Sequence, residues 1–436
     1  MAKYGKSLNL PHFTFRLDTF RALQLSGESR ELVAVSQIQS TYGKEDMSNQ
    51  RFTKRLVRTV GFLGLLLLMV APIVGDKPQP EIAVPFEPTP PQVVDEMLKL
   101  GNVTADDVVY DLGCGDGRIV IAAAQKLKAR GFGVDLDPQR IDECKENAES
   151  AGVADRLQFK VGDIMQTDLA PATVVTLYLL DEVNLMLRPK LFHELKPGTR
   201  IVSHAFHMAD WRADKTEHPP KARNEVIYLW ILPASVGGVW QWTGKNPQGA
   251  TQYRLDLEQE FQVVRGELTS GEGKKAPISN VSLNGRELLL SAQVADGQRQ
   301  VRVNFRGTVD GDTIKGTQQW RGGSRAGTYE WIAQRTPVDL SGSWRIKVQA
   351  SEEPLDGVLR VERKNGDLKA TYVGDKDKKD IALTGFIAWG TSVYFNIPAE
   401  DKSPIFTGSL SGNTGNGKVT REGTSATLVW TGQREK

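Results

Sequence analysis

Apolar positions follow three regimes along the chain. Between Thr59 and Gly75 they merge into an uncharged run preceded by Lys54, Arg55 and Arg58. From Gln92 to Leu232, helical spacing alternates with short, fully apolar runs. Beyond Pro233 the period falls to two, in short segments broken by Gly, Asn and Asp.

The middle regime predicts alternating helices and strands. Gln92–Leu100 carries Val93, Val94, Met97, Leu98 and Leu100 on one helical face. Strands are predicted over 108–111, 131–135, 157–161, 173–180, 200–206 and 225–232. Helices are predicted over 118–129, 138–151 and 183–195. Such βαβ alternation predicts a mainly parallel sheet covered on both faces.

The third regime resembles itself. GVWQW (Gly238–Trp242) and GSWRI (Gly342–Ile346) each open a segment, and WIAQR (Trp331–Arg335) and WTGQR (Trp430–Arg434) each close one. Two units, 234–336 and 337–436, are expected as antiparallel β-barrels or sandwiches of up-and-down type. Trp240, Trp242, Trp320, Trp331, Trp344 and Trp430 are expected as core or end plugs.

The first regime has the pattern of a signal peptide or a short membrane anchor. Its internal position leads us to expect the physiological start at Met47, with 1–46 an irregular extension. Residues 47–80 then hold the signal or anchor, and proline-rich Asp76–Pro91 is a linker into an α/β domain at 81–233. Basic residues ahead of the run favour a cytoplasmic N-terminus and a folded part outside, in the cell envelope or anchored at the membrane.

Composition adds little. Among 436 residues, 55 basic and 53 acidic side chains leave a net charge of +2, which gives no reason to expect a nucleic-acid partner. Two cysteines, Cys114 and Cys144, make no disulfide framework. His204 and His207, on one predicted strand, point to opposite faces and do not suit a shared metal, so no metal site is expected.

The chemistry concentrates in VVYDLGCGDGRIVI (Val108–Ile121). Gly113, Gly115 and Gly117 follow Asp111 at the end of a predicted strand. A dinucleotide fingerprint would require glycine where Arg118 stands. A carboxylate there would also repel a pyrophosphate. D-x-G-x-G-x-G resembles the first motif of class I methyltransferases. That resemblance implies a Rossmann-like, seven-stranded, mostly parallel sheet binding S-adenosylmethionine. It places the cofactor's methionine half over Gly113, Cys114, Gly115 and Gly117, with Asp111 offsetting its ammonium. Asp135 and Leu136 would hold the ribose, and Asp163 and Ile164 the adenine.

The flanks, PFEPTPPQVVDEML and TVVTLYLLDEVNLMLRPKLFHELKPGTRIVSHAFHMADW, resemble the lysine methyltransferases that include the ATP synthase c-subunit enzyme. The resemblance covers about residues 82–232. It implies that Thr89 helps hold the methionine end, with Leu179 beside it. It also implies that Tyr178, Glu182 and Asn184 lie where the methyl donor meets the acceptor. Asp181 stands where bacterial relatives are expected to carry proline. The apolar LYLL stretch suits the stem of a lysine. The leading expectation is a methyltransferase acting on a protein lysine at or near a membrane. The alternative is an envelope protein whose β units bind a ligand while the α/β fold is an inert scaffold.

Overall fold

The computed structural model describes residues 86–435, apart from 221, 223, 247–248, 272, 350–354, 365–366, 377, 384, 399–402 and 422–426. The expected extension at 1–46 and the apolar run at 59–75 lie outside the described residues. Among those described, no helix is long and apolar enough to cross a membrane.

The α/β part opens with helix α1 (Pro91–Leu100), started by Pro91 at its first turn, where a missing N–H costs nothing. Then follow β1 (Val108–Leu112), α2 (Arg118–Leu127), β2 (Arg130–Asp135), α3 (Pro138–Ser150), β3 (Leu157–Val161), β4 (Val174–Leu177), α4 (Asp181–Glu194), β5 (Arg200–His204), β6 (Lys215–Glu217) and β7 (Ile227–Ile231). The seven strands form one sheet in the order β3-β2-β1-β4-β5-β7-β6. The first five are parallel, while β7 runs antiparallel to both β5 and β6. The reversal at β1/β4 opens a crevice beyond the strands' carboxyl ends, the usual place for a ligand in such sheets.

Three details differ from the sequence reading. Lys215–Glu217 pairs as a short strand that its polar sequence conceals. β4 ends at Leu177, so Tyr178–Leu180 leads out of the sheet as extended chain. β5 ends at His204 because Ala205 takes a left-handed conformation (φ 62°), so His207 lies beyond the strand predicted to carry it.

Eight antiparallel strands between Gly238 and Arg335 close into a barrel, β8 (Gly238–Asn246) pairing with both β9 (Gly249–Glu260) and β15 (Gly327–Arg335). Its interior is filled by side chains, with the Trp331 ring 5.1 Å from Phe305 and 5.9 Å from Trp242. The remaining strands form a nine-stranded sheet whose first strand, β16 (Gly342–Val348), pairs with its last, β24 (Leu428–Arg434). Its edges are Asp380–Leu383 and Ile387–Trp389, so it is an open sheet. Both sheets carry the same end plug. Trp240 donates its indole N–H to Val236 O (2.7 Å) beneath the Arg335 guanidinium. Trp344 donates to Leu340 O (2.9 Å) beneath Arg434. All six tryptophans singled out in the sequence are buried.

The three parts share one core. Phe192 of α4 and Trp211 pack against Phe261 of the barrel and Trp389 of the nine-stranded sheet. Trp211 also donates to Gln262 Oε1 (2.9 Å). Arg188 of α4 is 1% exposed. It donates to Met208 O (2.9 Å), Asp210 Oδ1 (2.6 Å) and the Tyr394 hydroxyl, with its guanidinium 5.1 Å from the Phe261 ring. At Gly237 and Gly390 the two β parts meet backbone to backbone, where a Cβ on either would overlap a carbonyl oxygen of the other part.

Candidate functional site

The crevice holds a cavity of about 380 Å³. Its wall includes Phe86, Glu87, Thr89, Asp111, Gly113, Cys114, Gly115, Asp135, Leu136, Ile164, Tyr178 and Leu179, together with Asp116, Asp137, Arg140 and Val183. The glycine turn forms the floor. Gly113, Gly115 and Gly117 all have positive φ (78°, 53° and 79°), a conformation that side chains resist. Gly113 and Cys114 donate their N–H groups to Val134 O, which ties the turn to β2.

Two carboxylates organise this floor. Asp111, at the end of β1, is 2% exposed and accepts a 2.7 Å hydrogen bond from the Thr176 hydroxyl on β4. Burial raises its pKa to about 7. The Thr176 bond opposes that shift, and the charges of Asp135 and Asp116 add to it. A buried acid so uncomfortable as an anion is a receptor for a cation. Asp135, at the end of β2, accepts from Gly115 N (2.9 Å) and Asp137 N (3.0 Å). It therefore holds the turn closed, and its remaining lone pairs are available to hydroxyl donors.

Thr89 is buried and reaches the wall from the segment before α1. Arg118 fixes that segment by donating to Thr89 O (2.9 Å), while its guanidinium also grips Asp116. Phe86 lies over Gly115, where a Cβ would overlap the Phe86 ring, and Arg140 sits 4.5 Å from that ring. Cys114 and Cys144 are free and buried, their sulfurs 3.8 Å apart. The hydrogen bond to Cys144, followed by burial, pushes the Cys114 thiol pKa far up.

The structure thus brings together Thr89, Asp111, Gly113, Cys114, Gly115, Asp135, Leu136, Ile164, Leu179 and Tyr178. Gly117 caps α2 immediately behind the wall. Three expected residues fall elsewhere. Asp163 caps the short turn at Ile164–Gln166, accepting from Met165 N (2.8 Å), and does not line the cavity. Glu182 is exposed on the first turn of α4. Asn184 points inward, 0% exposed, and donates to Phe206 O (3.4 Å) and His207 O (3.3 Å). On a helix, 182 and 184 lie far from the face that Val183 turns to the cavity. Asp181, in the place of the expected proline, accepts from His207 N (2.8 Å) and joins the start of α4 to the chain that follows β5.

Sequence reasoning missed the residues beneath Tyr178. His204 stacks on the Tyr178 ring (4.1 Å between centroids), and Phe206 lies 6.0 Å away. Burial, then the charges of Glu87 and Glu225, raise the Tyr178 pKa; Glu87 lines the cavity beside that ring, while Glu225 lies outside the lining. These residues are scattered over 87–225, and no motif spacing joins them.

Residues 111–215 match the family described as "ANTKMT methyltransferase domain". A protein-lysine N-methyltransferase of Saccharolobus islandicus (strain REY15A) is 44% identical over 151 residues, 34% of this chain and 94% of that protein. The ATP synthase c-subunit lysine N-methyltransferase of Homo sapiens is 28% identical over 181 residues, 41% of this chain and 72% of that protein. Among solved structures, an RNA methyltransferase from Salinibacter ruber in complex with S-adenosyl-L-homocysteine is 49% identical. That match has a TM-score of 0.33 and covers 34% of this chain and 96% of that one.

Proposed function

The chain belongs, through its methyltransferase domain, to the S-adenosylmethionine-dependent family of the Saccharolobus protein-lysine N-methyltransferase, and we propose that its acceptor is a protein lysine. The observation that carries this reading is the cavity itself. An aromatic wall at Tyr178 and the Glu87 carboxylate share the cavity with a floor suited to a cationic cofactor. S-adenosylmethionine, when bound, supplies an electrophilic methyl group on a sulfonium.

The residues fit that cofactor. Asp111 would meet the α-ammonium, and its raised pKa falls when a positive charge arrives. Gly113, Gly115 and Gly117 allow close backbone approach, with Thr89 and Leu179 closing the methionine end. Asp135 and Leu136 would hold the ribose, and Ile164 would lie against the adenine. Asp163 keeps acceptor capacity beside its capping bond and could accept from the adenine amine. Orientation is the enzyme's main contribution to such an in-line transfer. Tyr178 and Leu179 would shape the channel for the acceptor's aliphatic stem.

We place the acceptor at or near a membrane because the apolar run at 59–75 would tether the catalytic part there. The competing reading, β units that bind a ligand beside an inert scaffold, meets a barrel whose interior is already filled by tryptophan and phenylalanine.

Incubating the full chain with methyl-tritiated S-adenosylmethionine and poly-L-lysine tests the reading. Label in poly-L-lysine, absent from its acetylated form, is the expected result. Cofactor binding without any lysine label, or label confined to added RNA, would overturn it.

A further inference from the structure

His204 is the last residue of β5, 1% exposed, and every edge of its ring is engaged. Nε2 lies 2.9 Å from Glu225 Oε2, Nδ1 lies 3.3 Å from Thr89 Oγ1, and one face carries Tyr178. An ionised carboxylate only accepts, so Nε2–H donates to Glu225. Nδ1 then shares a hydrogen bond with the Thr89 hydroxyl, which can both donate and accept. The ring therefore joins Thr89, in the cavity wall, to Glu225, which is 36% exposed and lies outside the cavity lining.

The backbone around this pair is held under strain. Ala205 has φ 62° and Ala209 φ 47°, in a left-handed region that side chains resist. Ala205 N donates to Val226 O (2.8 Å), which clips the end of β5 to the segment carrying Glu225. Glu225 N donates to Ala222 O (2.9 Å), and Glu225 O lies 2.9 Å from His218 Nδ1. The side chain, N–H and carbonyl of Glu225 are thus all engaged within the fold. Among the described residues, the titratable groups around it include Glu87 and Tyr178 on the cavity wall, His204 at its side chain and His218 at its carbonyl.

We propose that Glu225, oriented by His204, binds the acceptor's ammonium against the face of Tyr178 and takes its proton before methyl transfer. This rests on the lysine reading above. An ammonium cannot attack, because its nitrogen has no lone pair to offer. In the proposed step an N–H bond of the ammonium breaks. The proton goes to Oε1 of Glu225, and the electron pair stays on nitrogen as the nucleophile. His204 occupies Oε2, which leaves Oε1 to take the proton. Its exposure lets the proton pass on to water before the next turnover. Glu225 is thus the substrate-facing group and His204 a positioning residue.

The test uses the full chain, poly-L-lysine and tritiated cofactor, with S-adenosylhomocysteine affinity measured by calorimetry. Glu225→Gln is expected to lower kcat about 100-fold at neutral pH. Its rate should climb roughly tenfold per pH unit toward the amine's own range, while S-adenosylhomocysteine affinity stays within about twofold. Glu225→Asp should recover part of the rate with the wild-type pH profile. His204→Gln should lower kcat about tenfold without changing S-adenosylhomocysteine affinity. Wild-type rate and pH profile in Glu225→Gln, or joint loss of activity and S-adenosylhomocysteine binding in both Glu225 variants, would overturn the proposal. If wild type binds S-adenosylhomocysteine but labels no lysine, the lysine reading itself fails and takes this assignment with it. If wild type labels lysine and only the variants behave otherwise, the assignment fails alone.

Discussion

Asp111 and Thr176 stand on neighbouring parallel strands and share a 2.7 Å hydrogen bond at the floor of the cavity. The hydroxyl is one of the few things favouring the anion there, against complete burial and two nearby carboxylates.

Cofactor binding should therefore release a proton. Asp111 is largely protonated in the unliganded protein below about pH 7, and a bound ammonium favours the ionised form. Affinity should rise with pH up to about 7 and then level off. Calorimetry at about pH 6, in buffers of different ionisation heat, should show close to one proton released, and Asp111→Asn should abolish that release.

The same group sets a stability trend in the unliganded protein. Its folded pKa of about 7 exceeds the ordinary carboxyl value of 3.8, so the folded state holds more protons between those values. Its contribution is full below about pH 4 and is lost as pH rises through about 7. The difference in melting temperature between wild type and Asp111→Asn should shift in favour of the variant across that window.

Gly115→Ala should damage the site more than the fold. The residue has φ 53°, and the new Cβ would strike the Phe86 ring. Phe86 is exposed and can swing away, but the backbone strain remains. S-adenosylhomocysteine affinity should fall about tenfold or more, with the thermal transition nearly unchanged.

Cys114 should be inert in the native protein. Its thiol pKa is raised by the Cys144 contact and burial, so the reactive thiolate is absent at about pH 8. Mass spectrometry after iodoacetamide treatment should find it unmodified until denaturant is added.

Arg188→Ala should break the cooperativity of the described fold. The side chain joins α4 to Tyr394 and Phe261, and its loss strands Asp210 and the Tyr394 hydroxyl at a cost of about 3 kcal/mol. Differential scanning calorimetry should resolve separate transitions for the α/β and β parts.

The cofactor floor is legible in the sequence because its chemistry is local. Asp111 and its three glycines lie within seven residues, and Asp135 ends the next strand. The barrel strands are legible from their period of two, as in Arg299–Asp310. The surroundings of Tyr178 are not, since Thr89, His204 and Glu225 meet only through the order of strands and the Ala205 turn. Helix α4 can be found from its spacing, but not the direction its residues face. It is buried on several sides, so it carries no clear polar face, and nothing in its pattern marks Arg188 as a core residue.

The aromatic seam formed by Phe192, Trp211, Phe261 and Trp389 bears on the protein's history. The Saccharolobus relative is matched over 94% of its length by a third of this chain, so there the fold stands with almost nothing appended. Here the appended sheets cover tryptophan and phenylalanine that water would otherwise meet. Deleting that cover would leave the apolar face exposed and the protein prone to association. The addition is therefore entrenched: lineages carrying this seam can diversify the sheets, but they cannot readily discard them.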